Sequence, residues 1–231
     1  PDLTASTLFQ EAILQVNDGD AGAAITNFDT VIGMEGVSAE KKSDAYFNRG
    51  MLRDEGGDLK GAISDYGRII AMSGVPRTRL ADAYFSRGSA RDELGDSAGA
   101  VADWTAILDI VEASPDTVAQ ALFNRGVSFK DQGNHVRALE DWTRILATTN
   151  APLDIVAKAG LARGAVRRIL QQLEMALADF DFILAHPADI SPAIIADGYY
   201  NRGLTYRDSG KFTEALADWN TVLELKDAPP R

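Results

Sequence analysis

Arginine and aspartate recur along this chain at one fixed spacing, with an aspartate sixteen residues after each arginine of the series. The arginines are Arg49, Arg87, Arg125, Arg163 and Arg202, and the aspartates are Asp65, Asp103, Asp141, Asp179 and Asp218. In the first stretch of the chain, Glu11 and Asn27 hold the two corresponding places, so both partners are lost together. This covariation predicts contact between the two positions, in the form of partly buried ion pairs that fix the register of two helices.

The same arginine row has a second interpretation, in which it binds an anionic ligand. Three of the five arginines are followed four residues later by another arginine, at Arg53, Arg91 and Arg167. Guanidinium groups are the side chains best suited to bidentate binding of phosphate or carboxylate groups. The sequence leaves both interpretations open, one structural and one ligand-binding.

The remaining polar residues do not form a pattern that predicts catalysis. His135 and His186 lack the spacing to His, Cys or acidic residues that a zinc site needs. The acidic pairs Asp54-Glu55 and Asp92-Glu93 recur at equivalent positions, whereas acid–base catalysis needs one differentiated site. We therefore expect a protein that is not an enzyme and that holds neither a metal ion nor a cofactor.

Composition limits the classes of partner. The chain has 231 residues and a net charge of −11 at pH 7. Nucleic acids and anionic membranes select dense basic surfaces, so we expect neither as a partner. The acidic balance fits a protein or peptide ligand that carries neutral or basic segments. The sequence has no cysteine, and none of its apolar runs reaches the length of a membrane span.

The arginines belong to a block of 38 residues that recurs along the chain. The glycines that follow them, Gly50, Gly88, Gly126, Gly164 and Gly203, lie 38, 38, 38 and 39 residues apart. Each block holds two runs with helical periodicity, and a period of this length indicates a solenoid of helix–turn–helix units. The first helix is expected to begin four or five residues before an alanine such as Ala81, Ala157 or Ala196.

Two glycine columns carry structural predictions. Gly19, Gly57, Gly95, Gly133 and Gly210 are expected in the left-handed residue of the turn between the helices. Gln171 holds that place in the fifth block, which is therefore expected to turn differently or to extend its first helix. The glycine after each arginine lies within a helix, where it predicts close approach of another helix, and the second-helix alanines such as Ala100 are the expected neighbours.

The blocks resemble the tetratricopeptide repeat family. Ala196-Asp197-Gly198-Tyr199-Tyr200-Asn201-Arg202-Gly203 and Gly210-Lys211-Phe212-Thr213-Glu214-Ala215-Leu216 follow the family's idealised unit, although that unit has 34 residues. The resemblance implies an all-α, α-solenoid fold in which six antiparallel helix–turn–helix units form a right-handed superhelix. It implies one repeat domain over residues 1–231, with repeats at about 5–42, 43–80, 81–118, 119–156, 157–195 and 196–227.

In proteins of this family the first helices line a concave wall, and the resemblance places ligand-facing positions there. These positions are Phe47, Met51, Asp54, Glu55, Phe85, Asp92, Glu93, Phe123, Lys130, Arg168, Tyr200 and Arg207. Apolar residues run along this wall, which is acidic in the second and third repeats and more basic in the fifth and sixth. We expect a non-catalytic scaffold whose groove binds an extended or helical peptide, anchored by aromatic side chains and oriented by charge.

Two other functions remain open from the sequence. The second helix of the last repeat, with Val222 and Leu225, could expose an apolar face through which chains self-associate. The chain ends at Ala228-Pro229-Pro230-Arg231 without a further helical pattern, which is the reason for this expectation. Alternatively, the repeats could be a regulatory or adaptor segment of a larger enzyme or secretion complex.

Overall fold

The computed structural model describes residues 1–185, 187 and 190–225, and these residues form helices and connecting loops without a β-strand. The helices are α1 Asp2–Asn17, α2 Ala21–Gly33, α3 Ala39–Glu55, α4 Leu59–Ala71, α5 Arg77–Glu93, α6 Ser97–Ile107, α7 Pro115–Asp131, α8 His135–Leu146, α9 Leu153–Ile169, α10 Leu173–Leu184, α11 Pro192–Asp208 and α12 Phe212–Glu224. The predicted all-α fold of six helix pairs is confirmed. His186 and Ala228 to Arg231, which entered the sequence argument, lie outside the described residues.

The chain divides into two compact units, Pro1–Thr117 and Val118–Arg231. In the first unit, α1, α3 and α5 pack against the helices that follow them, and α2 and α4 also pack against the next first helix. The second unit repeats this arrangement, with α9 on α10, α11 on α12, and α8 and α10 on the next first helices. Each unit is thus a stack of helix pairs. The expected single repeat domain and right-handed superhelix concern the whole chain and stay predictions.

Local sequence signals set the helix boundaries. The first helices α5, α9 and α11 begin four residues before Ala81, Ala157 and Ala196, as expected. Most second helices begin with a side-chain cap, in which an acidic or amide oxygen accepts the amide of the third helical residue. The capping residues are Asp20, Asp58, Asp96 and Asn134.

The turn between the two helices of a pair has the same backbone in all six repeats. The middle one of its three residues, Gly57 for example, has a φ of +82°. The amide after it bonds a carbonyl five residues back, from Asp58 to Arg53 and from Gln172 to Arg167. The expectation that Gln171 turns differently is wrong, because Gln171 adopts a φ of +60° and α9 has the length of the other first helices. The hydrogen-bond pattern of the turn prevails over the backbone preference of glutamine.

The helical glycines lie beneath an aromatic ring of the second helix. A Cβ on Gly88 would approach Trp104 to 2.7 Å, and one on Gly126 would approach Trp142 to 2.6 Å. The expectation that alanines of the second helix face these glycines is therefore wrong, because the aromatic ring occupies the space that the missing side chain leaves. The indole N–H of Trp142 donates to the carbonyl of Phe123, 3.4 Å away, which holds the ring across the first helix.

The alanine column of the second helices, with Ala62 and Ala100, lies in the core instead. The largest buried side chains are the aromatic rings of the second helices, including Tyr66, Trp104 and Trp142. Each pair thus carries its own piece of core, as a solenoid requires. Among the described residues, the search for a helix long and apolar enough to span a membrane found none.

Replacement of Gln171 by glycine is expected to stabilise the second unit. A non-glycine residue in the left-handed region is strained, so the change should raise the free energy of unfolding by about 0.5–1 kcal/mol. The matched control is Gly133→Ala, at the same turn position with no atom within 4 Å of the added methyl. It should lower the free energy of unfolding by about 1 kcal/mol. Urea denaturation measures both, and equal effects of the two variants would contradict the strain at Gln171.

Candidate functional site

Each arginine of this series, on a first helix, donates two parallel hydrogen bonds to an aspartate of the second helix. Arg87 donates from Nε and Nη2 to the two carboxylate oxygens of Asp103, at 2.9 and 2.6 Å. Arg125 donates to Asp141 in the same way, at 2.8 and 2.6 Å. The pairs Arg49 with Asp65, Arg163 with Asp179 and Arg202 with Asp218 have this geometry as well. All five aspartates are buried, so each fork is largely removed from water.

In several repeats the same guanidinium also reaches the preceding helix pair. Arg163 donates from Nη1 to Thr143, and Arg202 donates from Nη1 to Asp181 at 2.7 Å. Arg49 bonds Asp29 in the same manner. One arginine therefore joins three helices. This third partner was missed in the sequence, because its column holds unlike residues (Asp29, Gly67, Thr143, Asp181) and so shows no covariation.

In three repeats a second arginine donates a further hydrogen bond to the same carboxylate. Arg53, Arg91 and Arg167 each donate from Nη1 to the same aspartate as the first arginine, at 2.8 Å. In the fourth and sixth repeats an aromatic residue takes this place. The ring of Phe129 lies 5.7 Å from the guanidinium of Arg125, and that of Tyr206 lies 5.7 Å from the guanidinium of Arg202. A cation–π contact then replaces the second ion pair.

The first repeat has a neutral version of this network. Asn27, at the aspartate position, donates from its amide to Gln15 at 3.0 Å, and Gln15 holds the place of Arg53. Glu11, at the first arginine position, is exposed. A buried charge without its partner is costly, so the loss of the arginine and the aspartate together avoids an uncompensated ion.

The charges in this network stabilise each other. The hydrogen bond from Arg202 to Asp218 raises the pKa of the guanidinium. Burial by itself would lower the pKa of Arg49, but its hydrogen bonds to Asp65 and Asp29 outweigh burial and raise it. The arginines thus direct their hydrogen bonds to carboxylates of the chain itself. This geometry supports the structural interpretation of the row over the anion-binding one.

A second group of residues forms what we call the first-helix wall of the first unit, on α1, α3 and α5. Phe47 is half-buried there, with its ring centroid 5.7 Å from that of Tyr66. The guanidinium of Arg79 lies 4.4 Å above the Phe47 ring and donates from Nε to Asp44 at 2.9 Å. This contact could not be predicted from the sequence, since arginine occurs at that place in one repeat only. Phe85 is half-buried and Met51 is exposed.

A cavity of about 210 Å³ opens between α1 and α3 on the same wall. Its lining combines the aromatic ring of Phe9 with polar groups of Ser6, Gln10, Lys41 and Asp44. Apolar walls with a few polar groups are typical of sites that accept a side chain of a partner.

Four acidic residues at the C-terminal ends of α3 and α5 differ from Asp44 and Asp82, which pair with Arg79. Within the part of the chain that the structure describes, Asp54, Glu55, Asp92 and Glu93 form no ion pair with an arginine or lysine. Burial raises the pKa of Asp54, and the neighbouring charges of Glu93 and Glu55 raise it further. The repulsion shows that α3 and α5 present their carboxylates to the same region. A cation there would relieve it.

The basic residues expected on the wall of the second unit are compensated. Arg168 donates to Asp208 at 2.9 Å, and Arg207 donates to the other oxygen of Asp208 at 2.9 Å. These two arginines lower the pKa of Asp208. Lys130 lies 3.0 Å from Asp131. Phe123 is half-buried and Tyr200 is partly exposed on the same helices. The expected basic half therefore carries less free positive charge than the sequence suggested.

The apolar face of the last helix also differs from the expectation. Val222 and Leu225 were expected to be exposed, but both are half-buried, and Leu225 packs against the cluster that includes Ile183 and Ile194. Leu216 and Leu223 are the exposed leucines of α12. The prediction failed because the rotation of a helix about its axis is set by packing rather than by the presence of apolar residues.

Stacked helix pairs with a repeated interhelical ion pair define a helical repeat protein. Two models described as Tetratricopeptide repeat match the sequence, at residues 9–74 and 196–227. The chain thus contains tetratricopeptide repeats in these two stretches, as the resemblance implied. No curated protein matches it by sequence.

Solved structures agree with this fold. A tetratricopeptide repeat protein from Parabacteroides merdae has 21% identity and a TM-score of 0.69, over 99% of this chain and 81% of its own. BtubC (BKLC) from P. vanneervenii has 19% identity and a TM-score of 0.68, over 99% and 92%. YrrB, described as a TPR protein with an unusual peptide-binding site, has 18% identity and a TM-score of 0.63, over 86% and 92%. At these identities the likeness concerns the fold alone.

Removal of one carboxylate from the ion-pair network is expected to be strongly destabilising. Asp103→Asn leaves Arg87 and Arg91 facing a neutral amide, which should lower the free energy of unfolding by about 3 kcal/mol. Adding Arg91→Gln places the Gln15–Asn27 combination of the first repeat in the third, and should recover part of the loss. Denaturation midpoints of the two variants test this, and a double variant less stable than Asp103→Asn would contradict it.

Proposed function

We propose that this protein is a non-catalytic interaction scaffold and that the first-helix wall of its first unit binds a basic segment of a partner protein. Tetratricopeptide repeats are typical of scaffolds for protein–protein interaction, which supports the class. The observation that supports a basic ligand at this wall is the group of uncompensated carboxylates of Asp54, Glu55, Asp92 and Glu93. A protein that places like charges together bears a free-energy cost, and a cationic ligand removes that cost on binding.

The contact made by Arg79 supports a guanidinium-containing ligand. Arg79 stacks on the face of Phe47 while Asp44 accepts its Nε–H, and Asp82 lies 3.5 Å from its Nη1. The wall thus already accommodates one guanidinium between an aromatic ring and carboxylates. Arginine or lysine side chains of a partner would meet the same combination of groups at the neighbouring carboxylates.

The cavity beside Phe9 supports an anchor for the bound segment. Its 210 Å³ are enough for a medium-sized side chain, and its lining is apolar on one side and polar on the other. The peptide-binding site named for YrrB adds a relative of similar fold that binds a peptide. On the second unit, Phe123, Tyr200 and the arginines around Asp208 hold the corresponding positions of its own first helices, where the sequence predicts ligand-facing residues. A role as an adaptor segment of a larger complex would use the same wall.

Charge reversal of the acidic cluster should abolish the binding of basic ligands. The ligand is an arginine- and lysine-rich peptide chosen from an arrayed library. We expect its affinity to fall by about 100-fold or more in the variant that combines Asp54→Lys, Glu55→Lys, Asp92→Lys and Glu93→Lys. Fluorescence anisotropy at two salt concentrations measures this, since the acidic wall should bind more weakly in high salt.

The matched control reverses four exposed carboxylates away from the wall, at Glu112, Glu140, Glu174 and Glu214. It changes the net charge equally, so it separates a local site from the overall negative charge of the chain. Equal loss of affinity in both variants would contradict a site on the first-helix wall.

Binding should also weaken as the pH falls, because the pKa of Asp54 is raised by burial and by Glu93 and Glu55. Asp54 takes up a proton before an ordinary aspartate does, and its protonated form no longer attracts a cation. Titration of peptide affinity from neutral towards acidic pH tests this. Asp54→Asn should bind more weakly at neutral pH and lose part of the pH dependence. An unchanged pH profile in that variant would remove Asp54 from the site.

A further inference from the structure

The two end helices of the described chain expose faces that interior helices bury. On α1, Leu3, Thr7, Glu11 and Leu14 form one stripe, and Leu3 and Leu14 are 83% and 63% exposed. The equivalents of Thr7 and Leu14 in the other first helices are buried, except for the half-buried Leu52. They include Ala83, Ala90, Ala159, Val166, Gly198 and Thr205.

The covering element in those repeats is the second helix of the preceding pair. Leu184 on α10 would lie 3.0 Å from a Cβ at Gly198 on α11, and Asp181 accepts a hydrogen bond from Arg202. The equivalent residues on α12 are Leu223 and Asn220, with Leu216 one turn before them. Leu216 and Leu223 are 59% and 84% exposed, whereas Leu177 and Leu184 of α10 are half-buried. The face of α12 is thus the counterpart of the face of α1.

We infer that α12 of one chain packs on α1 of a second copy, in the register that α10 and α11 use within the chain. Leu223 and Leu216 would then cover Thr7 and Leu14, and the contact would repeat an interface that the chain already forms between its own helix pairs. Burial of exposed leucines supplies the driving force.

The polar residues at the centre of this contact select the second copy. In interior contacts an arginine donates to an acid or a hydroxyl, as Arg202 does to Asp181 and Arg163 to Thr143. On α1 the arginine is replaced by Glu11, so a second helix with an aspartate at this place would be repelled. On α12 the place holds Asn220, whose amide donates to a carboxylate. In this contact the second helix would donate, through Asn220, and the first helix would accept, through Glu11. The donor and acceptor have thus exchanged helices, and the two faces remain complementary.

Because this contact joins two unlike faces, a dimer still has one free α1 face and one free α12 face. Further copies can therefore add to form linear chains or closed rings. The net charge of −11 opposes the approach of two copies, and added salt should therefore strengthen association. The first-helix wall proposed for peptide binding also includes α1, but its acidic cluster and the cavity beside Phe9 use other residues than this contact does. Failure of one proposal would leave the other unaffected.

Sedimentation velocity of the 231-residue chain over a range of concentrations tests the inference. We expect the average mass to rise with concentration and with salt. Leu14→Glu and Leu223→Glu should each be monomeric alone, because each has lost one of the two faces. Mixed in equal amounts they should form a one-to-one complex, since Leu14→Glu keeps α12 intact and Leu223→Glu keeps α1 intact.

The control is Val136→Glu, at an exposed site on α8 where the next repeat has Glu174, and it should associate like the wild type. Asn220→Asp places two acids together and should weaken association about tenfold, while Asn220→Asp combined with Glu11→Arg should restore it. A wild-type chain that stays monomeric up to about 1 mM would overturn the inference, since contacts weaker than this are negligible. Self-association of either single glutamate variant, or no complex in the mixture, would overturn it as well.

Discussion

The bidentate ion pair between the two helices of a repeat is the contact on which the rest of the structure depends. The guanidinium of Arg87, for instance, bonds both oxygens of Asp103 and so fixes how far one helix can slide along the other. Arginines such as Arg202 also bond the preceding helix pair and so fix its position in the same way. Buried ion pairs contribute little net stability, because desolvation offsets their attraction. Their contribution here is to register, repeated at each pair, while the aromatic rings over the helical glycines supply apolar burial.

Because the ion pair fixes the register of each helix pair, the residue types on the first-helix wall can vary. The arginine and aspartate face the partner helix, so neighbouring wall positions can change without loss of the repeat. The first unit uses that freedom to gather Asp54, Glu55, Asp92 and Glu93, whose charges find no partner among the described residues. The second unit has arginines at corresponding places but neutralises them at Asp208. The two walls thus differ in uncompensated charge although they are built on the same fold.

The exposed faces of α1 and α12 follow from the same repetition. Each pair covers one face of its neighbour, so the first and last described helices are left with one uncovered face each. The first repeat has exchanged the ion pair for Gln15 and Asn27 and placed Glu11 at its surface. These changes remove buried charge where only one side is packed. They also give the outer face a polarity that interior repeats lack, which sets the chemistry of any partner that covers it.

The period, the helix boundaries and the partners of the arginines could be predicted from the sequence, because each depends on residues that recur at the same spacing within one helix pair. The neighbours of the helical glycines, the left-handed turn at Gln171 and the contact of Arg79 with Phe47 could not. The rings over the glycines recur at one spacing, but the spacing does not say whether a ring or an alanine of the second helix fills the gap. The other two cases involve a residue that departs from its column, so repetition gives no signal for them. The pairing of Arg168 and Arg207 with Asp208 and the rotation of α12 were likewise decided by packing. Sequence repetition thus determined the arginine–aspartate contacts, while the tertiary structure decided which side chain lies over each glycine and which contacts occur once.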